Sequence, residues 1–239
     1  MLFDKKGNNP ALAVGYLFKG LGLLTSTSLR SFILIPILIN LVLYSVALTL
    51  GYYYISDLIN QFIPSWLHWL NWILWPLFFV SFFIAGFFTF TVLANLIASP
   101  FYGKLSAKTL SLVATQVTEV KEQPLPLVVS AELKRATYLL TRAIPLVIVS
   151  FIPGLNVLAP FLWALFGAWG MALEYCAYPL ENAGLLFTEQ QQLLKSVRFG
   201  ALSFGGAAAL GLTIPVLNIL IAPAAVIGAT LYVNDIKQG

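Results

Sequence analysis

Two short stretches decide how this chain is read: FIPGLNVLAPF (Phe151–Phe161) and TIPVLNILIAPA (Thr213–Ala224). Aligned, they share I-P-x-L-N-x-L followed by A-P. Pro153 matches Pro215, Asn156 matches Asn218, and Pro160 matches Pro223, an internal repeat with an offset of 62 residues at its first two landmarks. Each stretch breaks a run without Asp, Glu, Lys or Arg: Ala143–Leu173 (31 residues) and Phe199–Asn234 (36 residues). Two full membrane spans need about 40 apolar residues plus a turn, so neither run holds two. A single straight span would bury Pro and Asn at mid-depth. The remaining option is a re-entrant hairpin, two half-length helices meeting at a Pro/Asn tip. Such backbone is tolerated in a membrane only where protein or water surrounds it.

Working outward, two further charge-free runs precede these. Ser31–Ser56 is long enough for one span, with Pro36 near its start, where a proline kinks a helix but need not break it. Leu58–Gly103 opens with four tryptophans, Trp66, Trp69, Trp72 and Trp75, among polar neighbours. Clustered Trp of this kind marks a membrane–water interface, so the second span starts near Ile73.

Composition agrees. Of 239 residues, 59% are apolar and 9% charged, with a mean hydropathy of +0.88. A soluble domain carries about 25% charge, which excludes a water-soluble globule and a disordered chain. A net charge of +4 with scattered cations excludes a nucleic-acid binder. One Cys and one His exclude a disulfide framework and leave little material for a metal site or hydrolytic chemistry. No cofactor, metal or enzymatic activity is expected. No G-x-x-x-x-G-K-[ST] motif occurs, so no ATP hydrolysis is expected. The N-terminal MLFDKKGNNPALAV lacks an apolar signal core and is expected to be mature protein.

Charge fixes the topology expected. Four Lys or Arg precede the first span, none lie between the spans, six follow the second, two lie between the repeats and one after them. All share one face if each repeat enters and leaves on that face. The positive-inside rule makes that face the cytoplasm.

The expected fold is an all-α integral membrane protein with two long transmembrane helices, two re-entrant, half-penetrating hairpins and amphipathic cytoplasmic arms. It is one membrane domain. Residues 10–27 form an interfacial helix and anion loop, 29–56 the first span, 58–72 an interfacial connection and 73–100 the second span. A polar helical arm covers 101–142, the first hairpin 143–173, a polar connection 174–198 and the second hairpin 199–234. Asn9-Pro10 reads as a cap and first residue of a helix with a Leu12, Leu17, Leu21, Leu24 stripe. VKEQPLP splits the polar arm in two, and Thr188-Glu-Gln-Gln191 reads as a capping box.

Few side chains could carry chemistry. His68 and Cys176 read as interfacial and packing residues. Glu174 and Glu181 flank Tyr175 and Tyr178 at a membrane edge. There they are either functional acids or partners of a cation such as Arg142 or Arg198. Asn40, Asn95, Asn156 and Asn218 fall inside apolar runs. They serve either hydrogen bonds between helices or a neutral polar ion pathway, to which Glu174 could also belong. The segment GLGLLTSTSLRSF (Gly20–Phe32) places Thr25, Ser26, Thr27 and Ser28 before Arg30 at a helix start. Free backbone N–H groups, hydroxyls and a guanidinium there make an anion site of ordinary construction. The bland alternative is that Ser28 caps the helix while Arg30 reaches toward headgroups.

LRSFILIPILIN (29–40), NLIASPFYGKLS (95–106), IPGLNVLAPFLWALFGAWGMALEYCAYPLENAG (152–184) and LSFGGAAALGLTIPVLNILIAPAAVIGATLY (202–232) resemble the bacterial CysZ sulfate permease family. The matched blocks cover nearly the whole chain. The resemblance implies an oligomeric, multi-pass protein of the bacterial inner membrane that admits sulfate for cysteine synthesis. It also implies the two long helices and two pairs of half-penetrating helices. The family's sulfate loop falls here on Gly22, Leu23, Leu24, Thr25, Ser28, Leu29, Arg30 and Ser31. Ser28 stands where the family often has Gly, and Ser31 where a second basic residue can follow Arg30. Implied partners are sulfate, membrane lipid and further copies of the chain. The competing functional class is a non-transporting membrane scaffold or assembly protein.

Overall fold

The computed structural model describes residues 2–26, 28–62, 69–113, 124–214 and 217–238. It is helical almost throughout. Among the described residues eight α-helices follow in order: α1 (Pro10–Leu23), α2 (Ser31–Phe62), α3 (Asn71–Val113), α4 (Leu125–Phe151), α5 (Ala159–Asn182), α6 (Phe187–Ser196), α7 (Arg198–Leu212) and α8 (Asn218–Ile236). The single extended pairing is between β1 (Leu2–Phe3) and β2 (Lys237–Gln238), antiparallel, which joins the two ends of the described chain. Two compact units result, Met1–Arg30 with Tyr102–Gly239, and Ser31–Phe101.

The Ser31–Phe101 unit is built from α2 and the first part of α3. The α2 helix continues beyond Asp57 to Phe62, so the connection to α3 is shorter than the run of Trp and polar residues implies. Trp66 and His68 lie outside the described residues. Two hydroxyls inside α2 are satisfied along the helix itself: Ser45 Oγ donates to the Leu41 carbonyl and Thr49 Oγ1 to that of Ser45. The two helices meet through aromatic rings. Tyr52 stacks on Trp75 at 5.0 Å, and a Cβ at Gly51 would be in van der Waals contact with the Phe78 ring, at 3.4 Å.

The other unit holds the buried core, and α8 is its centre. Ala224, Ala225, Val226, Ile227, Ala229 and Tyr232 are all fully buried, so α8 is enclosed on every side for two turns. Small residues make this possible. A Cβ at Gly20 in α1 would run into the Ala224 carbonyl, and one at Gly228 would lie 2.6 Å from the Tyr16 carbonyl. The buried face of α1 is therefore Ala13, Tyr16, Leu17, Gly20 and Leu24 rather than the leucine stripe alone; Leu12 and Leu21 are half-buried. A Cβ at Gly205 in α7 would meet the backbone of Ala168 and Ala172 in α5. Phe204 of α7 stacks on Tyr232 of α8 with planes 6° apart.

Both repeats interrupt their helices. After α4 the chain turns through Pro153 and Gly154, whose φ of 86° lies in the left-handed region that a side chain resists. A single 3-10 turn, Asn156–Leu158, then leads into α5 with Pro160 in its first turn, where a missing N–H costs nothing. In the second repeat α7 ends at Leu212 and α8 starts at Asn218. By length and composition, one helical stretch among the described residues, Asn156–Asn182, suffices to cross a membrane. Leu41–Tyr54, Asn71–Ile84 and Leu220–Ile236 are shorter apolar pieces.

The N-terminal strap closes this unit. Asn9 Oδ1 accepts from the amides of Ala11 and Leu12, the expected cap of α1. Its neighbour Asn8 caps a different helix, accepting from the Phe199 amide in α7 at 2.8 Å. Tyr232 Oη donates to the Gly7 carbonyl, and the Asp4 amide donates to that of Ile236. At α6 the helix starts two residues earlier than the T-E-Q-Q pattern implies, with Leu186 rather than Thr188 at the cap position. Glu189 reaches back to the Leu186 amide at 3.0 Å, and no hydroxyl supplies the reciprocal half of a capping box.

Candidate anion site

The link between α1 and α2 is a series of tight turns built on backbone carbonyls. The Ser26 amide donates to Leu23, and the amides of Leu29 and Arg30 both donate to Ser26 at 3.1 and 3.2 Å. Thr25 Oγ1 donates to the Gly22 carbonyl at 2.9 Å. Leu24 and Leu29 are buried, and these two apolar pegs hold the turn against the unit. Around them Gly22, Thr25, Ser28 and Arg30 are exposed, and Leu23 and Ser26 are half-buried. Ser31, also exposed, is the first residue of α2. Thr27 lies outside the described residues.

This geometry sorts the expected ligands. Leu24 and Leu29 act as anchors, since their side chains are enclosed. The amides of Leu29 and Arg30 are already bonded within the turn. The polar side chains that this turn leaves exposed include the Arg30 guanidinium and the Ser28 hydroxyl. Ser26 Oγ is buried without a hydrogen-bond partner among the described residues. Its unused capacity is a cost that a bound ligand or a water would remove. Such a site offers one full positive charge and several neutral donors, suited to a small oxyanion and to its release.

The pathway residues are less gathered. Asn40, Asn95 and Asn218 take helical backbone in α2, α3 and α8, and their side chains lie outside the described part. Asn156 is exposed at the first repeat's turn. Its amide donates to the Ile152 carbonyl and its carbonyl accepts from Ala159. The turn is thus closed by backbone, without help from the Asn156 side chain.

Glu174 is part of a cluster that the sequence reading did not identify. Arg135 of α4 is buried and faces three carboxylates: Glu132 at 3.1 Å, Glu181 at 3.1 Å and Glu174 at 3.7 Å. Gln190 of α6 accepts a further bond from Arg135 Nη2. The partner of Glu174 and Glu181 is therefore Arg135, not Arg142 or Arg198. Those two acids are seven residues apart, two turns along one face of α5, and Glu132 is one turn before Arg135. That spacing was readable. Burial holds the Glu132 carboxyl above its ordinary range; Arg135 opposes this in part, and Glu181 and Glu174 add to it. Cys176 is buried in α5, as a packing residue should be. Among the described residues no group of three His, Cys, Asp or Glu side chains could hold a metal ion.

Comparison with known proteins follows the same lines. The family model described as "Sulfate transporter CysZ/Etoposide-induced protein 2.4" matches residues 16–223. A "Sulfate transporter CysZ" of Pseudomonas fluorescens (strain Pf0-1) is 43% identical over 91% of this chain and 90% of its own length. Its counterpart in Pseudomonas aeruginosa (strain LESB58) is 38% identical over 91% and 92%. That of Pectobacterium atrosepticum is 35% identical over 94% and 86%. Matched from near its first residues to its last helix, the chain belongs to the Sulfate transporter CysZ/Etoposide-induced protein 2.4 family.

Proposed function

We propose that this chain admits sulfate across the bacterial inner membrane and so supplies cysteine biosynthesis. The observation that carries the proposal is the end-to-end likeness to proteins named sulfate transporters, covering 90% of the length of the Pseudomonas fluorescens relative. The α2 helix has 32 residues and α3 has 43, about 48 and 65 Å at ~1.5 Å per residue, more than the ~30 Å of a bilayer core. In this reading α2 and α3 are the two long membrane helices. Residues 143–173, the end of α4 with the first part of α5, and residues 199–234, α7 with α8, are re-entrant hairpins, and the polar segments 101–142 and 174–198 face the cytoplasm. Exposed apolar side chains around the first turn, Phe151, Ile152, Leu155, Val157 and Phe161, support its contact with lipid or with further copies of the chain.

Sulfate binds in this reading at Gly22–Ser31, with Arg30 the one formal charge and Ser28 and Ser31 as neutral donors. Asn40, Asn95, Asn156, Asn218 and Glu174 remain the pathway candidates, Glu174 now as a member of the Arg135 cluster. Radiolabelled sulfate flux into proteoliposomes, with competing oxyanions, is the test. Intact protein without flux would favour the scaffold or assembly alternative. Calorimetric titration locates the site. Arg30→Ala should weaken sulfate binding roughly tenfold, the value of one charged hydrogen bond. Arg30→Lys should weaken it less, keeping the charge without the planar fork. Unchanged affinity in folded Arg30→Ala would refute this placement.

A further inference from the structure

A groove of about 450 Å³ runs between α4 and α6, lined by Leu133, Lys134, Thr137, Tyr138, Phe187 and Gln191 among others. We propose that it holds the phosphate of an anionic glycerophospholipid, with an acyl chain lying along α4. The inference rests on the membrane placement proposed above. It concerns residues remote in sequence from the Gly22–Ser31 segment.

Tyr138 organises the groove. Its ring meets Phe187 edge-on at 5.5 Å, and its oxygen accepts from Trp169 Nε1 at 3.0 Å. Arg142 lies over the same ring at 3.5 Å and donates one bond to the Tyr138 carbonyl. That leaves most of the five guanidinium N–H donors uncommitted, and no carboxylate pairs with Arg142 or Lys134 among the described residues. At the other rim, Lys195 donates to Gln191 Oε1 at 2.8 Å, leaving the Gln191 NH₂ as a donor. Tyr138 still has its own O–H to give, because its oxygen only accepts from Trp169. Thr137 and Thr141 spend their hydroxyl protons on α4 carbonyls and do not compete.

The acids nearby are engaged elsewhere. Glu132 faces Arg135, and Glu189 accepts from the Leu186 amide. The groove thus presents cations and neutral donors to any ligand, which calls for an anion. Hydrocarbon is the second half of the argument. Leu133 and Phe187 line the groove, and Leu140, Ile144, Val147 and Ile148 continue along α4 as exposed apolar side chains. A free phosphate or sulfate gains nothing from such a strip, whereas a lipid fills headgroup groove and strip together.

Native mass spectrometry of the full chain released from detergent, doped with phosphatidylglycerol and phosphatidylcholine, tests this. Wild type should retain phosphatidylglycerol preferentially. Lys134→Ala and Arg142→Ala should each lower that retention about fivefold, the weight of one cation near a lipid surface. Lys237→Ala, a cation elsewhere, should leave it unchanged. Tyr138→Leu keeps every charge but removes the ring under Arg142, so it should also lower retention; a non-specific attraction would not respond. Equal retention of both lipids, or wild-type retention in Lys134→Ala and Arg142→Ala, would overturn the proposal. Displacement of the lipid by an equal concentration of inorganic phosphate would reveal a small-anion site and overturn it too. Failure of the membrane placement is seen separately, as extraction of the chain from vesicles by alkaline carbonate.

Discussion

The two repeats carry the same I-P-x-L-N-x-L break, and the described residues of both turns are exposed, yet the helices beside them are buried to different degrees. In the first, α4 exposes Leu140, Ile144, Val147, Ile148 and Phe151, and the turn itself is exposed from Phe151 to Leu158. In the second, α8 is enclosed from Ala224 through Thr230. The motif sets where the helix stops, and the flanking residues set how much is buried. Around the second turn the flanks are small: Gly200, Gly205, Ala208, Gly211, Ala224, Ala225, Gly228 and Ala229. Backbones approach closely there, and dispersion contacts accumulate. Immediately around the first turn the flanks are Leu, Ile, Val, Phe and Trp, many of them exposed, and close backbone approach begins only further along α5, where Gly205 meets Ala168 and Ala172. Polar ties do part of the holding instead, above all Arg135, which links α4 to α5 and α6.

Removing each kind of tie in turn shows what holds each repeat. Arg135→Met should have the largest effect. It leaves Glu132, Glu174 and Glu181 facing one another without a cation. The expected loss is about 3 kcal/mol, the lower end for a buried pair because the carboxylates are partly exposed. Thermal unfolding in detergent, read by size-exclusion fluorescence, would register it; an unchanged midpoint would mean that α4 is held by packing after all. Gly205→Val comes next, at about 2 kcal/mol of overpacking, because the atoms in its way are the Ala168 and Ala172 backbone, which cannot swing aside. If Gly205→Val is tolerated, the close approach of the second repeat is not what stabilises it.

Gly154→Ala should cost about 1–2 kcal/mol through the left-handed backbone alone, since nothing stands within 4 Å of the new methyl. Gly211→Ala in the second repeat would meet Ile221 instead, so equal costs at the two glycines would erase the contrast between a strained turn and a packed one. Glu132→Gln is the smallest change, under about 1 kcal/mol, and its signature is a pH trend. Folding holds the Glu132 proton more tightly than the unfolded chain does, chiefly through burial. Its favourable contribution is therefore full at low pH and is lost as pH rises through the raised value. Gln mimics the protonated form, so the variant should gain on wild type as pH climbs out of the ordinary carboxylate range near 4. A gap that shrinks with rising pH would contradict this.

Much of this was legible from residue spacing. The Pro/Asn repeat marks both helix breaks, Asn9-Pro10 marks the start of α1, and charge-free runs mark the apolar helices. These are local signals, each contained within a turn or two of backbone. What stayed hidden depends on partners far along the chain. Arg135 gives no hint of its 46-residue separation from Glu181, although the Glu174/Glu181 face was visible once two turns were counted. Asn8 reads as a loop residue because the amide it caps lies 191 residues away. At the anion segment, the Thr25–Arg30 composition was plain. That Leu29 is a buried peg while Ser28 and Arg30 face outward follows from α1 lying against α8, which no window of sequence contains.

The adjacent caps Asn8 and Asn9 have a consequence for biosynthesis. Asn9 can close α1 as soon as a few residues follow it, but Asn8 waits for Phe199, and the strap waits for Ile236 to Gln238. The α1 helix is thus made long before it can dock, since its resting place on α8 does not exist until some two hundred further residues have been added. Until then the Ala13–Leu24 face is an unsatisfied apolar surface, and α2 follows directly behind it. Closure of such distant pairs is entropically slow. It falls to the late stage of assembly, when the segment carrying Arg30 is brought to its final position.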